Sequence, residues 1–412
     1  MLLLTIFLGV VFLYTLAAHR LERTVLTAPL LFTVAGVLVV LLLPQPASGS
    51  GGLGLFRRVA EIGLVLLLFT DASRTDLHLL KSMRGLPERL LSLGLLLTIG
   101  LGALLAKVVF PALSIWEAGI LASILAPTDA GLGQVIVTSP LVPERIREAL
   151  NVEAGLNDGI SVPFFLFFIA MADAGLQGGD AHLGRYVVEQ LGYGALVGLA
   201  VGFGGGWLLA LAHRAGWGSM RQLGLAMLPL LAMLATEHLG ASMFIAAFVA
   251  GLSVQVPFPQ AGRHGTQFAA EWGQLLNFSV FFLFGALCVA AWAHWTWPMV
   301  LYALLSLTLV RMVPVALALI GSGLSRASVL FIGWFGPRGL ASIVLGLVFL
   351  EQETHLPGEG LIRLVVVVTV FLSIFAHGLS AMPGIAAYAT RVKSLPAAAP
   401  EHFAGRGSQP GQ

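Results

Sequence analysis

Runs of apolar residues long enough to cross a lipid bilayer as helices recur along the whole chain of 412 residues. About 20 apolar residues span the hydrocarbon core of a membrane. Only 10% of the residues are charged, whereas soluble domains carry about 25%. The sequence therefore predicts an all-α polytopic membrane protein with thirteen spanning segments. They are 2–18, 28–44, 58–73, 88–110, 114–139, 150–173, 185–212, 220–238, 240–257, 267–291, 297–321, 327–350 and 360–381.

The basic residues indicate how these segments are oriented. Cytoplasmic loops of membrane proteins carry an excess of Lys and Arg. An external N-terminus puts 15 of the 22 basic residues on the inner side. The first apolar run has no basic residue before it, so we interpret it as a retained helix and not as a signal peptide. We expect a cell inner (plasma) membrane protein with its C-terminus inside and residues 391–412 as a disordered cytoplasmic tail.

Composition excludes several kinds of site. The single cysteine, Cys288, rules out a disulfide framework or a cysteine-based metal centre within one chain. The 22 basic and 20 acidic residues nearly cancel and are dispersed, which argues against nucleic-acid binding. We therefore expect no cofactor and no nucleic-acid partner, with the lipid bilayer as the surrounding medium.

The fifth segment carries a carboxylate at membrane depth, where a charge costs about 2.5 to 3.5 kcal/mol. Asp129 follows Pro127, and Gly131 loosens the next turn. Proline removes a backbone donor and clashes with the preceding turn, so we predict a broken helix. Its second half would start near Thr128, with Asp129 at the positive end. The alternative is a proline kink in which Asp129 serves only as a cap.

The sixth segment contains two further carboxylates. Glu153 and Asn157 are four residues apart and share one helix face, whereas Asp158 points in another direction. One carboxylate can therefore meet Asp129 and the other a basic partner. The alternative is that Asp158 is a neutral, protonated core residue.

The twelfth segment is predicted to break in the same way as the fifth. Gly336, Pro337 and Gly339 interrupt it, and Arg338 lies at the break. A buried guanidinium needs a carboxylate or the negative end of a half-helix, and Glu153 is the candidate partner. The alternative is an arginine that snorkels to water.

The two broken segments occupy corresponding places in two triplets, segments 4 to 6 and segments 11 to 13. Seven segments separate equivalent members, so the triplets enter the membrane from opposite sides. Inverted repeats whose broken helices meet near the midplane are typical of secondary transporters. The pattern therefore predicts a transporter.

Other polar residues in the apolar segments are interpreted as structural. Arg311 is expected to form a salt bridge or to contact a carbonyl. Asp71 and Asp76 flank Arg74 and are interpreted as solvated interface charges. In the seventh segment a glycine at every fourth residue predicts a stripe for close helix contact. The glycines of this stripe are Gly194, Gly198, Gly202 and Gly206.

Three motifs together resemble the NhaP-type sodium/proton antiporters of the monovalent cation/proton antiporter family. They are APTDA at 126–130, NDG at 157–159 with Glu153 upstream, and GPRG at 336–339. The resemblance covers all thirteen segments in order. It implies that helices 5 and 12 are unwound and cross each other.

The resemblance also implies a division of the transmembrane region, residues 1–390. A core domain would comprise about 88–173 and 297–381. The remaining segments, about 1–80 and 185–291, would form a scaffold for a homodimer, against which the core moves.

Residue roles follow from the same resemblance. Asp158 would bind a monovalent cation and a proton in turn. Thr128 and Asp129 would supply further oxygen ligands to Na⁺ or K⁺. Asn157 would be the neutral neighbour typical of electroneutral family members.

The sequence around Glu153 agrees with the family pattern at one position and differs from it at the next. Glu153 and Arg338 are similar to the family's buried ion pair. NhaP-type relatives usually carry a serine after the glutamate, whereas this chain has Ala154. If that hydroxyl holds the ion, water or a backbone carbonyl must replace it here.

The predicted function is exchange of a monovalent cation, Na⁺ first, for H⁺, with one cation per proton. A K⁺/H⁺ antiporter of the same fold is the first alternative. An intramembrane aspartyl protease would use Asp129 and Asp158 as a dyad, but the chain has GLND where such proteases carry GLGD. A channel would need a filter loop or a charged pore ring, and the sequence shows neither. We therefore expect a transporter and not an enzyme.

Overall fold

Helices account for all the regular secondary structure in the described part of the chain. The computed structural model describes residues 2–21, 24, 26–43, 51–75, 85–177, 188–217, 220–261, 266–351, 356–396 and 399–402. We number each helix by the predicted segment in which it lies. The helices are α1 (Leu2–Leu21), α2 (Ala28–Leu42), α3 (Gly51–Arg74), α4 (Leu86–Val109), α5a (Ile115–Ile124), α5b (Ala130–Val137), α6 (Glu144–Gln177), α7 (Val188–Arg214), α8 (Arg221–Leu239), α9 (Met243–Val254), α10 (Gln267–Ala291), α11 (Trp297–Ala318), α12a (Arg326–Trp334), α12b (Leu340–Glu351) and α13 (Glu359–Lys393).

The all-helical fold class predicted from the apolar runs is confirmed. Each predicted segment contains a helix or a pair of half-helices. Among the described residues, seven helices have the length and hydropathy needed to cross a bilayer. The shorter apolar helices include α5a, α9 and α12b. The number of complete crossings, thirteen, stays a prediction.

Both predicted helix breaks are present, and they lie against each other. Five residues separate α5a from α5b, and five separate α12a from α12b. Each gap contains a proline, Pro127 or Pro337, which lacks a backbone donor and clashes with the preceding turn. The main-chain N–H of Asp129 donates to the carbonyl of Pro337 at 2.8 Å. A main-chain N–H group at the first break is therefore hydrogen-bonded to a main-chain carbonyl at the second break.

The glycine stripe of α7 lies against α9, and the predicted close helix contact is confirmed. A Cβ at Gly198 would collide with the carbonyl of Ala246, and a Cβ at Gly202 with the carbonyl of Ala250. The two helices can approach this closely because these positions carry no side chain. α9 in turn packs on α3, which packs on α10, and α10 packs on α2.

The remaining helices pack around the two breaks. α5a packs between α4 and α6, while α11 and α12b pack on α13. This group meets the other where α3 contacts α6 and α12b. The breaks, the acidic residues of α6 and one face of α3 are therefore brought together inside the molecule.

The C-terminal segment differs from the disordered tail predicted for residues 391–412. α13 continues to Lys393, and Pro400–His402 form a 3₁₀ turn. The Pro, Ala and Gly content of this segment favours disorder when taken alone, but contacts with distant residues order the part that is described. Residues 403–412 lie outside the described part.

The turn is held by Glu401, whose side chain is buried. Its Oε1 accepts hydrogen bonds from the main-chain N–H of Ser325 at 2.8 Å and from the Ser328 hydroxyl at 2.7 Å. Ser325 caps the N-terminus of α12a. Glu401 thus adds a negative charge to the positive end of this half-helix, an arrangement that stabilises the half-helix.

Candidate functional site

Asp129 joins the N-termini of two half-helices. Its Oδ1 accepts the main-chain N–H of Leu132 at 2.8 Å, which caps α5b, and its Oδ2 accepts that of Leu340 at 2.6 Å, at the start of α12b. Both helix ends carry partial positive charge, so they stabilise the carboxylate. Main-chain donors occupy both oxygens. This geometry favours a capping role for Asp129 over direct contact with a cation.

Arg338 lies at the opposite, negative end of α5a. Its Nη1 donates to the carbonyls of Ala126, at 2.5 Å, and of Pro127, at 3.0 Å. The Ser342 hydroxyl donates to the carbonyl of Ile124 at 2.7 Å. A helix end leaves such carbonyls without intrahelical donors. Arg338 was expected to contact either a carboxylate or the negative end of a half-helix. In the structure its partner is the negative end of a half-helix.

The buried ion pair joins Glu153 to Arg311 and not to Arg338. Nη1 and Nη2 of Arg311 donate to Oε1 and Oε2 of Glu153 at 2.6 and 2.9 Å. The predicted pairing of Glu153 with Arg338 is therefore wrong. Of the two contacts expected for Arg311, a salt bridge or a carbonyl contact, the structure has the salt bridge. The planar guanidinium of Arg311 matches both carboxylate oxygens at once, while carbonyls already hold Arg338.

Two glycines let these charged groups approach the backbone of the second break. A Cβ at Gly339 would collide with the Asp129 carboxylate, and a Cβ at Gly336 would collide with the guanidinium of Arg311. The sequence predicts both glycines as helix breakers. The structure adds that they also make room for side chains from other segments.

Thr128, Asn157 and Asp158 come together beside the first break. The Asn157 amide Nδ2 donates to Oγ1 of Thr128 at 2.6 Å, and both residues are buried. This bond leaves Oδ1 of Asn157 buried with no hydrogen-bond donor among the described residues. The same is true of Oδ1 of Asp158. Buried polar atoms without partners are costly, so these two oxygens indicate a place for a ligand.

Asp71 is a further member of this acidic group, and the sequence interpretation missed it. It was expected to be a solvated interface charge, but it is half-buried. A Cβ at Gly155 of α6 would lie 3.6 Å from the Cβ of Asp71. The charges of Asp71, Asp129 and Asp158 are close enough to repel one another. Only the packing of α3 on α6 reveals that Asp71 belongs to this acidic group. Asp76 lies outside the described residues.

A small cavity lies beside Ala154. It has a volume of about 20 Å³, and Thr128, Asp129 and Asn151 also line it. About 10 to 15 Å³ is enough for one water molecule that has polar partners. The cavity therefore has room for a water where the resemblance leads us to expect a serine hydroxyl.

The arrangement suits a hard cation of low charge. Such cations prefer oxygen ligands, and the crossing provides a carboxylate oxygen of Asp158 and an amide oxygen of Asn157 that no described donor uses. The carboxyl group of Asp71 adds a further acidic oxygen donor near the site. Among the described residues, no cluster of His, Cys, Asp and Glu has the geometry of a transition-metal site.

Comparisons with known proteins show the family to which this chain belongs. A family model for the sodium/hydrogen exchanger transmembrane region matches residues 4–385. A protein of Escherichia coli K12 named uncharacterized Na⁺/H⁺ exchanger YjcE is 31% identical over 205 residues, which cover 47% of this chain and 36% of YjcE. A K⁺/H⁺ antiporter NhaP of Alkalimonas amylolytica is 26% identical over 395 residues, which cover 91% of this chain and 65% of that protein. The chain thus spans about a third of the length of the first relative and less than two thirds of the second.

A solved structure shares the fold. The sodium proton antiporter MjNhaP1 of Methanocaldococcus jannaschii superposes with a TM-score of 0.70 at 22% identity. The match covers 92% of this chain and 99% of that one. Because the family model matches nearly the whole chain, this protein belongs to the sodium/hydrogen exchanger family of multi-pass membrane transporters.

Proposed function

We propose that this protein is a secondary antiporter in which a monovalent cation and a proton compete for Asp158. The observation that carries the proposal is the buried Oδ1 of Asp158, which has no donor among the described residues; the amide oxygen of Asn157, the preceding residue on α6, is likewise buried without a donor among them. Thr128 supports the site through its hydrogen bond to Asn157. Asp129 contributes negative charge from its place between two helix ends.

Competition at a single carboxylate produces exchange. A buried, ionised Asp158 without a cation is costly, because a charge leaves water without compensation. The site can cross the membrane when Asp158 holds a cation or when it is protonated. Each crossing in one direction with a cation is therefore coupled to a return with a proton.

The same argument gives the stoichiometry. Asp158 with a cation and protonated Asp158 carry equal charge, so moving either state senses no membrane voltage. Neutral Asn157 adds no second titrating carboxylate beside it. We expect one monovalent cation per proton. Transport that accelerates or reverses when a membrane potential is imposed without ion gradients would refute this.

Na⁺ is the proposed cation, and K⁺ is the second candidate. The names of similar proteins support each ion, since YjcE is named as a Na⁺/H⁺ exchanger and the Alkalimonas amylolytica protein as a K⁺/H⁺ antiporter. The water-sized cavity beside Ala154 bears on this choice, because a water can adapt to either ion where a fixed hydroxyl cannot.

We propose that the two groups of helices move relative to each other as core and scaffold. A cavity of about 300 Å³ supports this division. One wall comprises residues of α6 and α12b, including Phe165 and Val348, and the other comprises residues of α3, α8 and α9, including Glu61 and Glu237. We further propose a homodimer in the plasma membrane with the N-terminus outside and the C-terminus inside.

The protease alternative has no support. An aspartyl dyad needs two carboxyl groups that are free to act on one substrate bond. Main-chain donors from Leu132 and Leu340 occupy both oxygens of Asp129.

The decisive experiment measures exchange in proteoliposomes. Purified protein is reconstituted with a pH-sensitive dye inside the vesicles, and Na⁺, K⁺ or Li⁺ is added outside in turn. Because entry of the cation is coupled to exit of protons, we expect cation-dependent alkalinisation of the vesicle interior, with Asp158→Asn as the inactive control. Vesicles in which none of these cations moves protons would refute the proposal.

A further inference from the structure

α13 lies against the second helix break and holds both of its ends. His377 is buried, and its Nε2 is 2.9 Å from the carbonyl oxygen of Trp334, the last residue of α12a. One turn earlier, Oγ of Ser373 accepts the main-chain N–H of Arg338 at 2.6 Å. Nδ1 of His377 is 3.1 Å from this same Oγ. One turn of α13 thus satisfies a carbonyl on one side of the break and an N–H on the other.

The partners define which ring nitrogen carries the proton. A carbonyl oxygen can only accept, so Nε2 of His377 must be the donor to Trp334. Oγ of Ser373 already accepts from Arg338, and its own proton is left for Nδ1. A neutral ring with its proton on Nε2 donates to Trp334 and lets Nδ1 accept from the Ser373 hydroxyl, and this pairing is the basis of our tautomer assignment.

A different protonation state would disturb this network. Nδ1 also lies 2.9 Å from the main-chain carbonyl of Ser373, to which a protonated Nδ1 would donate. The Ser373 hydroxyl would then lose its acceptor. A doubly protonated ring would also add a third buried positive charge near Arg338 and Arg311, with no carboxylate among its hydrogen-bond partners.

The network continues from the break to the candidate cation site. The Arg338 guanidinium holds the carbonyls of Ala126 and Pro127, which directly precede Thr128. His377 also packs on the Trp334 ring, with ring centroids 5.1 Å apart. A change at His377 can therefore shift the backbone of the second break and, through Arg338, that of the first.

We propose that His377, as its neutral Nε2–H tautomer, is a positioning residue for cation exchange that fixes the second helix break and thereby the site beside Thr128. This inference rests on the proposed exchange function. His377 touches neither the cation nor Asp158. It acts by determining where Arg338 holds the first break.

The first test compares substitutions that keep or remove the donor. The amide nitrogen of glutamine can overlay Nε2 of histidine, so His377→Gln retains a donor for Trp334, whereas His377→Leu leaves that carbonyl buried and unpaired. We expect His377→Leu to raise the apparent KM for the cation about tenfold, the factor that corresponds to a lost buried hydrogen bond. His377→Gln should restore most of the affinity. The exposed His294 provides a matched control, and His294→Leu should behave as the unmodified protein does.

Two results would overturn the inference in this assay. One is an apparent KM for His377→Leu equal to that of the unmodified protein. The other is an equal loss of cation affinity in His377→Gln and His377→Leu, which would indicate that ring volume matters and the donor does not.

The second test requires no transport. The unmodified full-length protein is labelled with ¹⁵N in its histidine rings, and the His377 signals are identified by their loss in His377→Gln. We expect the ¹⁵N shifts of a neutral ring protonated on Nε2. An Nδ1–H tautomer or an imidazolium ion would refute this inference alone, whereas vesicles without exchange would refute the proposed function alone.

Discussion

Asp129 and Asp158 are both carboxylates at the crossing of two broken helices, but their surroundings assign them different roles. Both oxygens of Asp129 accept main-chain N–H groups, so its charge is compensated by the protein. Oδ1 of Asp158 has no such donor among the described residues. At the scale of single residues, the structure therefore separates a carboxylate that holds helices together from one that is available to a ligand.

Substituting Asp158 should abolish exchange with little effect on stability, whereas substituting Asp129 should lower stability. Asp158→Asn removes the charge for which cation and proton compete, so exchange in proteoliposomes should disappear while the melting temperature changes little. Asp129→Asn turns an amide N–H₂ toward a main-chain N–H, which should cost about 1 to 3 kcal/mol of stability. Thermal unfolding of the two purified variants checks the contrast. Substantial exchange by Asp158→Asn would remove this residue from the mechanism.

The buried pair of Glu153 and Arg311 can be tested with a double-mutant cycle. Glu153→Gln leaves the guanidinium of Arg311 buried and unpaired, at a cost of about 3 to 5 kcal/mol. Adding Arg311→Met should restore much of that stability, because no uncompensated charge remains. Adding Arg338→Met to Glu153→Gln should lower stability further, since carbonyls and not Glu153 hold Arg338. Rescue by the Arg338 substitution instead would reinstate the predicted pair.

At the scale of secondary structure, the breaks at 125–129 and 335–339 form one hydrogen-bonded unit, which we call the joint. The N-termini of α5b and α12b share the carboxylate of Asp129, and the C-terminal end of α5a is closed by Arg338 and Ser342. Helix ends buried without such partners would leave several polar groups unsatisfied at membrane depth. The joint stays compact because glycine lies at the points of closest approach.

Gly339→Ala should therefore damage the joint. The added Cβ would collide with the carboxylate of Asp129, and such overpacking typically costs about 1 to 3 kcal/mol. A Cβ at Gly100 of α4 would meet nothing within 4 Å, so Gly100→Ala is the matched control and should not lower stability. Melting temperatures measured in the same detergent compare the two. Equal melting temperatures for both variants would mean that the joint tolerates a side chain at position 339.

At the scale of the whole molecule, the 3₁₀ turn Pro400–His402 is tied to the helices that carry the site. Glu401 closes the N-terminus of α12a, and the carbonyl of Pro400 accepts a hydrogen bond from Nη1 of Arg145, on α6, at 3.2 Å. α12a leads to the second break, and α6 carries Asp158. This turn therefore braces two helices that meet at the crossing.

The stability that Glu401 contributes should fall as the pH is lowered. Burial alone raises the pKa of the Glu401 carboxyl, but hydrogen bonds from Ser328 and Ser325 together hold it below its ordinary value. A group whose pKa is lower in the folded state contributes stability above its unfolded pKa and loses that contribution as pH falls through the folded value. Glu401→Gln should therefore melt at a lower temperature than the unmodified protein at neutral pH. The difference should shrink below about pH 4, where glutamate itself becomes protonated.

The exposed Glu148 near the start of α6 gives the control for this pH series. Glu148→Gln should shift the melting temperature little at neutral pH, because its carboxyl is not buried against a helix end. A difference between Glu401→Gln and the unmodified protein that stays constant from neutral to acidic pH would show that the charge of Glu401 does not stabilise the brace.

The sequence alone determined that this chain lies in a membrane, where its helices fall, and that segments 5 and 12 break at Pro127 and Pro337. These properties are local, because they follow from the cost of burying polar groups in lipid and from the missing backbone donor of proline. Only the tertiary structure decided that Glu153 pairs with Arg311 and that Asp71 faces the site. Both results depend on which faces of sequence-distant helices meet, and a requirement that every buried charge be neutralised does not specify which partner neutralises it.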